Sequence, residues 1–497
     1  MPSGDSFDLW KFCEARCRRL ARLPSMVFAG GSVTFEELFR TSELLAAELA
    51  KSGIHESTVV AVILPNSAFF APALLGLFKL GATVALVSPK CGSGELQAIK
   101  EGIHPDFLLC TDAFTTEHSA HLGVTRIEPI TSSPLLKNLV VGRWSRLESA
   151  VTTVPGTAVV KISSGSAGAP KAIALSSANV VTGATTVVET LQCTPVDRIL
   201  CVTPMCHSYA FDLGVLTMLA SGASLVIHDA FVPRQVLTDI AALNVSILLG
   251  VPSMYRTFID LRLAAVPDLS RVRHLLSCTA PLSPQTITAF CERFHAPICQ
   301  HYGSSETGAV AMHIREEVRN RLNSVGKAMR GVTIQIVNAD GAEVPIGNEG
   351  EIVVTSAAVG MGYLMGRPNG PSPFNRASFR MGDRGLMDRD GFVNVTGRMD
   401  DMINVGGFKV SPLEVTHALQ RCSKVREVAV LGVKDPFGES AVYAAVTVTG
   451  PATEQELLAF CHTQLADYKV PRRIEILKDL PRGSSGKIRI RPEDVSL

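Results

Sequence analysis

Residues 161–180 read KISSGSAGAPKAIALSSANV. A β-branched run leads into Ser163-Ser164-Gly165-Ser166-Ala167-Gly168-Ala169 and ends on Pro170-Lys171. Small residues let backbone N–H groups approach an anion, hydroxyls add donors, and Lys171 adds positive charge, so the loop is a phosphate cradle in type. It is not the Walker pattern, which needs GxxxxGK followed by Ser or Thr. A plain flexible Gly/Ser loop has the same composition; the preceding strand and the Pro-Lys ending favour phosphate. On either side of this segment, apolar runs alternate with helical ones. TVVAVIL (58–64), TVALV (83–87), DFLLC (106–110), ASLVIH (223–228) and VSILLG (245–250) read as strands, and residues 33–53 as a helix stopped by Gly53. Continuous apolar strands between helices predict sheets covered on both faces, an α/β fold. The stretch AFFAPALLGLFKLGATVALV (68–87) is long enough to span a bilayer. Lys79 and Gly81 interrupt it, so a helix ending at Gly81 followed by a strand fits better.

At about 100–200 residues per domain, 497 residues predict two to four domains or one large layered one. The chain is 46% hydrophobic and 19% charged, enough for a sizeable core and against disorder. Lys plus Arg (47) balances Asp plus Glu (46), which argues against a dedicated nucleic-acid binder. The twelve cysteines, scattered from Cys13 to Cys461 without zinc-type pairing, read as reduced thiols. Cys13 and Cys17 share a helix face. The N-terminus has no apolar signal segment, and the expectation is a soluble, cytoplasmic protein without a transmembrane segment.

From about residue 326 short strands and tight turns take over, with turn signals at Asn338–Gly341 and Asp388–Gly391. After Gly397-Arg398 a new strand–helix alternation begins. A boundary near 400 is expected, giving units 1–399 and 400–497. Three further motifs carry chemistry. In QHYGSSETG (300–308), Tyr302 offers an aromatic face beside Ser305 and Glu306, whose carboxylate suits a hard cation such as Mg²⁺. In residues 381–415, Asp383 lies between glycines where a carboxylate can accept from ribose hydroxyls, and Arg398 can meet phosphate or ribose; Asp400 and Asp401 are polar at the boundary, as a hinge requires. In LPRGSSGKIRI (480–490), a small-residue loop delivers Lys487, a point charge. Taken singly, each has a bland reading as a solvated loop, a capped turn or a surface lysine.

The four motifs in this order, with TPMCHSYAF (203–211), GVPSMY (250–255), SCTAPLSP (277–284), VGKAMRGVTIQIV (325–337) and GEIVV (350–354), resemble the adenylate-forming (AMP-binding) enzymes over nearly the whole length. GRMDDMINVGGFKVSP is most similar to coumarate-, benzoate-type and fatty acyl-CoA ligases. The resemblance implies an acyl-CoA synthetase-like fold. A large N-terminal domain has two helix-flanked sheets and a β-barrel-like part, and a small mobile α+β C-terminal domain rotates about a hinge.

It also implies ATP, Mg²⁺ and CoA, or the phosphopantetheine of a carrier protein, as cofactors, and a small carboxylic acid as substrate. By resemblance, Ser163, Ser164, Gly165, Ser166, Gly168 and Lys171 close over the β- and γ-phosphates. Glu306 binds Mg²⁺ and Ser305 contacts the α-phosphate. Tyr302 and Thr279-Ala280-Pro281 flank adenine, Asp383 holds the ribose and Arg398 supports ribose or phosphate. Lys487 bridges carboxylate and α-phosphate, His207 gates the acyl pocket, Gly406 and Gly407 border the pantetheine arm, and Asp400 is the hinge.

Departures from the family pattern are Ala167, Ala172, Ser177, Cys278-Thr279, His301 and Met381. Asp212 follows Phe211, as does the ammonium-binding Asp of amino-acid-activating domains. Its spacing to Gly222 is shorter, so it reads as structural. The leading expectation is acyl-adenylate formation with release of pyrophosphate, then thioester formation with CoA, on an aryl, cinnamoyl-like or fatty acid. A second is loading of a carrier protein or transfer to a nitrogen nucleophile. A third is a non-catalytic nucleotide-binding relative.

Overall fold

The computed structural model describes residues 8–144, 154–164, 170–366, 371–399, 401–405, 408–434 and 440–482, with 488, 490 and 495. Helix Phe35–Lys51 shows why the sequence pattern was readable. Thr34 caps it and Glu37 closes a capping box. Leu38, Leu45 and Leu49 fall on one buried face, and Gly53 follows at φ +97°. The ambiguous apolar stretch becomes helix Phe70–Lys79, buried from Phe70 to Phe78, then strand Thr83–Leu86, with Gly81 at φ +68° between them. Gly76 makes the two helices' close approach possible, since a Cβ there would lie 3.2 Å from the Ser42 carbonyl oxygen. No helix among the described residues is long and apolar enough to cross a membrane.

Two large sheets organise the first part of the chain. One has, in spatial order, Gly362–Met365, Pro170–Ser176, Thr157–Ser164, Thr83–Leu86, Val59–Ile63, Phe107–Thr111, Leu139–Trp144 and Val124–Pro129. Its centre is parallel and its edges antiparallel. The other runs Lys327–Ala328, Gly308–Met312, Ile298–Ser304, His274–Ser277, Ile247–Gly250, Arg198–Cys201, Ser224–Ile227, Pro24–Phe28 and Gly31–Thr34. One continuous apolar core joins Val60, Val62 and Leu86 of the first sheet to Leu200, Leu248 and Leu275 of the second. Each such fully buried side chain contributes about 1.5–3 kcal/mol. The short strands expected from about residue 326 form a five-stranded antiparallel sheet (Thr333–Val337, Gly350–Thr355, Ser378–Met387, Phe374–Asn375, Val393–Arg398) with a core of its own around Ile336, Ile352 and Val354. Both sequence-read turns are present: Gly341 N–H donates to the Asn338 carbonyl (3.1 Å) and Gly391 N–H to that of Asp388 (3.0 Å).

The described residues after Asp401 form a small α+β unit. Strands Val425–Lys434, Ser440–Val448 and Arg473–Ile476 pack against helices Pro412–Gln420 and Glu454–Gln464 around Val415, Leu419, Val442 and Leu457. It meets the large part at Glu427, which accepts from Arg256 (2.6 Å) on helix Pro252–Asp260 and from Arg482 (2.5 Å). Burial raises the Glu427 pKa, but the two guanidinium groups outweigh it and hold the carboxyl below its usual range. Asp400 lies outside the described residues.

No disulfide joins any of the twelve cysteines. Burial pushes the thiols of Cys201 and Cys206 up to about 12, so they are packing groups. Cys13 and Cys17 do share the buried face of helix Leu9–Arg19, and no metal-type cluster occurs among the described residues.

His274, His301 and His313 are buried, and burial lowers each from the ordinary 6.5 to about 4. Between these values the unfolded chain binds protons that the folded one does not, so stability rises with pH there and is lost as pH falls. Each group adds a slope of up to about 1.4 kcal/mol per pH unit. We expect the urea midpoint to drop steadily from pH 6.5 to 4.5, before most carboxylates titrate. An unchanged midpoint over that window contradicts the assignment.

Candidate active site

In both large sheets the parallel strands end on one edge, where loops are free to carry chemistry. Two of the sequence-read motifs follow such ends, the segment after Ser164 and the turn after Ser304. Strand Thr157–Ser164 runs into the small-residue loop and returns as Pro170–Ser176, with Ser163 opposite Lys171 and Ser164 opposite Pro170. The tip, with Gly165, Ser166 and Gly168, lies outside the described residues. Strand His274–Ser277 is followed by Cys278, then Thr279 at φ +76°. That conformation is strained for a β-branched side chain and explains why glycine suits the position. Ala280 and Pro281 beside it are exposed.

Strand Ile298–Ser304 turns at Glu306-Thr307 into Gly308–Met312. Reciprocal bonds between Ser304 and Thr307 (backbone N–H to Oγ, 3.3 Å each way) fix the turn, and Gly308 supplies φ +67°. Ser305 Oγ accepts from Ser208 Oγ at 2.7 Å, and His207 immediately precedes Ser208 as the N-cap of its helical turn. Half-buried Glu306 receives the Tyr363 hydroxyl on Oε1 at 2.8 Å.

The strongest convergence is at Asp383. Strands Ser378–Met387 and Val393–Arg398 set Asp383 opposite Arg398, whose guanidinium donates to Oδ1 at 3.0 Å. Tyr302, from the other sheet, donates to Oδ2 at 2.5 Å. Asp383 is 8% exposed. Burial, then Asp383, raises the Tyr302 pKa well above 10, so the phenol remains a donor at any working pH. Tyr302 therefore spends its hydroxyl on Asp383 while its ring stays available for packing. Arg398 pairs with Asp383 itself rather than with an unrelated surface acid.

Thr279, Ala280, Pro281 and Ser163 reach the same edge but join neither hydrogen-bond cluster among the described residues. Lys487, Gly406 and Gly407 lie outside them. Arg482 and Ile488, on either side of residues 483–487, pair in an antiparallel bridge.

Sequence reasoning missed three features. Tyr363 had only its place between Gly362 and Gly366 as a signal. Ser208 had none. Lys161 was visible as a single cation inside the apolar strand TAVVKISS, and it is buried, donating to Asp212 Oδ1 and Oδ2 at 2.8 and 2.6 Å. Asp212 is thus structural, as its spacing suggested.

A family model described as AMP-binding enzyme matches residues 13–364, and one described as AMP-binding enzyme C-terminal domain matches residues 414–487. The chain belongs to the AMP-binding enzyme family. Among relatives of this AMP-binding enzyme, a feruloyl-CoA synthase from Amycolatopsis sp is 29% identical over 486 residues, 95% of this chain and 96% of its own. An o-succinylbenzoate coenzyme A synthetase from Bacillus subtilis, solved with ATP and magnesium ion, is 25% identical with a TM-score of 0.83, over 96% of this chain and 98% of that one. An amide bond synthetase from Marinactinospora thermotolerans has the same identity and TM-score over 97% of this chain and 98% of its own. The AMP-binding enzyme thus has the acyl-CoA synthetase-like fold, a large N-terminal and a small C-terminal domain.

Proposed function

We propose that this AMP-binding enzyme is an AMP-forming acid–thiol ligase that activates a carboxylic acid with ATP and passes the acyl group to CoA. The observation that carries this reading is the hydrogen-bonded meeting of Tyr302 and Asp383, 81 residues apart in the chain, with Arg398 on the same carboxylate. In the first half-reaction a carboxylate oxygen attacks the α-phosphorus, and pyrophosphate leaves with the electron pair of the broken P–O bond. In the second, the CoA thiol adds to the acyl carbonyl, gives up its proton, and AMP departs.

Two anions must meet in the first step, so fixed positive charge must screen them. Ser163, Ser164, Gly165, Ser166, Gly168 and Lys171 hold the β- and γ-phosphates, and Ser305 the α-phosphate. Tyr302 and Thr279-Ala280-Pro281 flank adenine, while Asp383 and Arg398 hold the ribose. Lys487 comes between carboxylate and α-phosphate, and His207 borders the acyl pocket. Gly406 and Gly407 give the pantetheine arm room, and Asp400 is the hinge between units 1–399 and 400–497. Glu306 fits a hard cation: Oε1 accepts from Tyr363, Oε2 has no partner among the described residues, and carboxylate plus phosphate oxygens is a donor set suited to Mg²⁺. Bound there, Mg²⁺ neutralises phosphate charge.

The acid in this proposal is aryl, cinnamoyl-like or fatty. The feruloyl-CoA synthase relative supports the aryl side, and the neutralisation of Asp212 by Lys161 supports a substrate without an α-ammonium group. Free buried thiols support a cytoplasmic setting. A second reading, transfer to a nitrogen nucleophile, draws on the likeness to the amide bond synthetase.

The test is pyrophosphate release with ATP and Mg²⁺ across aryl, cinnamoyl, fatty and amino acids, with and without CoA or an amine. Release is expected with an aryl or fatty acid, a thioester only with CoA, and a loss of about 100-fold or more in Lys487→Ala. ATP binding without release for any acid contradicts the ligase reading. An amide without a thioester favours the second one.

A further inference from the structure

Tyr363 stands between two groups of opposite charge. Its hydroxyl donates to Glu306 Oε1 at 2.8 Å, and its ring face carries the Lys171 ammonium 5.6 Å from the centroid. Both contact this one side chain, and among the described residues no ion pair joins Lys171 to Glu306. The tyrosine is itself held on every side. Strand Gly362–Met365 pairs with the strand that carries Lys171, Tyr363 opposite Ile173. Met361 N–H donates to the Ala174 carbonyl (2.8 Å), and Phe374 packs edge-on at 5.0 Å. Gly360 N–H donates to the Glu306 carbonyl, also at 2.8 Å. Segment 360–363 therefore grips Glu306 at both its backbone and its carboxylate, and ties it to the phosphate-loop strand.

We propose that Tyr363 is a positioning residue for the cation–phosphate centre: it fixes the Glu306 carboxylate so that Oε2 faces the cation, and its ring keeps Lys171 from neutralising that carboxylate. The inference rests on the assignment of Glu306 and Lys171 above. A glutamate side chain loses on the order of 1.5–2 kcal/mol of rotamer freedom when it is ordered. Here that ordering is done before the cation arrives. A lysine free to collapse onto Glu306 would compete with the cation for the carboxylate and with the phosphates for the ammonium.

The test measures binding, not turnover. ATP is titrated calorimetrically into the full chain without acid, in EDTA and over a MgCl₂ series. Tyr363→Phe keeps the ring and loses the hydroxyl, so the Mg²⁺ concentration for half-maximal tightening should rise about tenfold. Affinity for ATP in EDTA should stay within about twofold. Tyr363→Leu also loses the ring, so binding in EDTA should weaken as well. Glu306→Asp shortens the reach to Tyr363 without disturbing the buried ring. It should cost a similar share of Mg²⁺ affinity, and adding Tyr363→Phe to it should cost little more. Full additivity of Glu306→Asp and Tyr363→Phe, or a Tyr363→Phe midpoint equal to wild type while Glu306→Gln raises it, overturns the inference alone. Wild-type ATP binding that ignores both Mg²⁺ and Glu306→Gln overturns the site assignment with it.

Discussion

Lys161→Met should lower the unfolding free energy by about 3–5 kcal/mol, the range for removing one partner of a buried ion pair. Lys161 is 2% exposed and Asp212 6%. The ammonium donates to both carboxylate oxygens, and nothing apolar around it can replace that solvation. Burial raises the Asp212 pKa, and Lys161 opposes the rise. With methionine at 161 the opposition vanishes. Asp212 must then stay charged without a partner or take up a proton.

A carboxyl whose folded pKa lies above its unfolded one binds more protons when folded, so its contribution falls as pH rises through the folded value. The gap between Lys161→Met and wild type should therefore be largest at neutral pH and narrow towards pH 4.5. The histidine-driven acid loss is common to both proteins and cancels in the difference. Lys161→Met with Asp212→Leu removes both charges and should recover most of the loss, an interaction energy visible in the cycle. Urea unfolding of the four proteins measures it. A single-variant loss under 1 kcal/mol, or a gap that widens in acid, sinks the account. The pair also has a place near the site: Asp212 Oδ2 lies 3.7 Å from where a Cβ on Gly308 would project, beneath the turn that carries Ser305 and Glu306.

That pair also marks where sequence reading stops. Periodicity identified helix Phe35–Lys51 and the break between Phe70–Lys79 and Thr83–Leu86, because caps, glycines and burial faces act within one turn or strand. The motifs at 163–171, 302–306, 383 and 398 were legible as chemistry only through their shared order along the chain, because each alone also reads as a solvated loop or a capped turn. Their partners were not. Tyr363 and Glu306 are 57 residues apart, and Lys161 and Asp212 are 51 apart. A lone tyrosine or a lone lysine has no local period that announces its partner. Such contacts are decided by which strands pair, as in the register of Gly362–Met365 on Pro170–Ser176. Thr279 lies between these cases: its departure from a small residue was plain in the sequence, but only the backbone at φ +76° shows that the departure costs strain.

Asp383→Ala should reduce kcat/KM for ATP by on the order of 100-fold or more, through nucleotide recognition rather than through folding. An ionised carboxylate has about four acceptor positions. Tyr302 and Arg398 donate to opposite oxygens, and since each carboxylate oxygen can accept more than one hydrogen bond, the proposed site lets the ribose hydroxyls share this carboxylate. Hydrogen bonds to a charged acceptor are worth roughly 1.5–3 kcal/mol each, so two lost bonds account for the expected effect. Tyr302 and Arg398 hold the carboxylate in its rotamer, so the wild-type enzyme pays little ordering entropy when the nucleotide arrives. Asp383→Asn keeps the shape, but its one carbonyl oxygen must face the guanidinium, and its amide then faces Tyr302. The hydroxyl can rotate to accept that amide, so the fold survives while acceptor capacity towards the ribose falls.

The discriminating readout compares ATP with 2′-deoxy-ATP. Wild type should prefer ATP by roughly tenfold or more, the value of one such bond. Asp383→Ala should treat the two nucleotides alike, and Asp383→Asn should lie between. An unfolding midpoint of Asp383→Asn close to wild type separates this from a general loss of structure, since Asp383→Ala also takes the acceptor from the buried Tyr302 hydroxyl. If Asp383→Ala loses activity and keeps the full preference for the 2′-hydroxyl, the carboxylate serves only to hold Tyr302 and Arg398, and the ribose must be bound elsewhere.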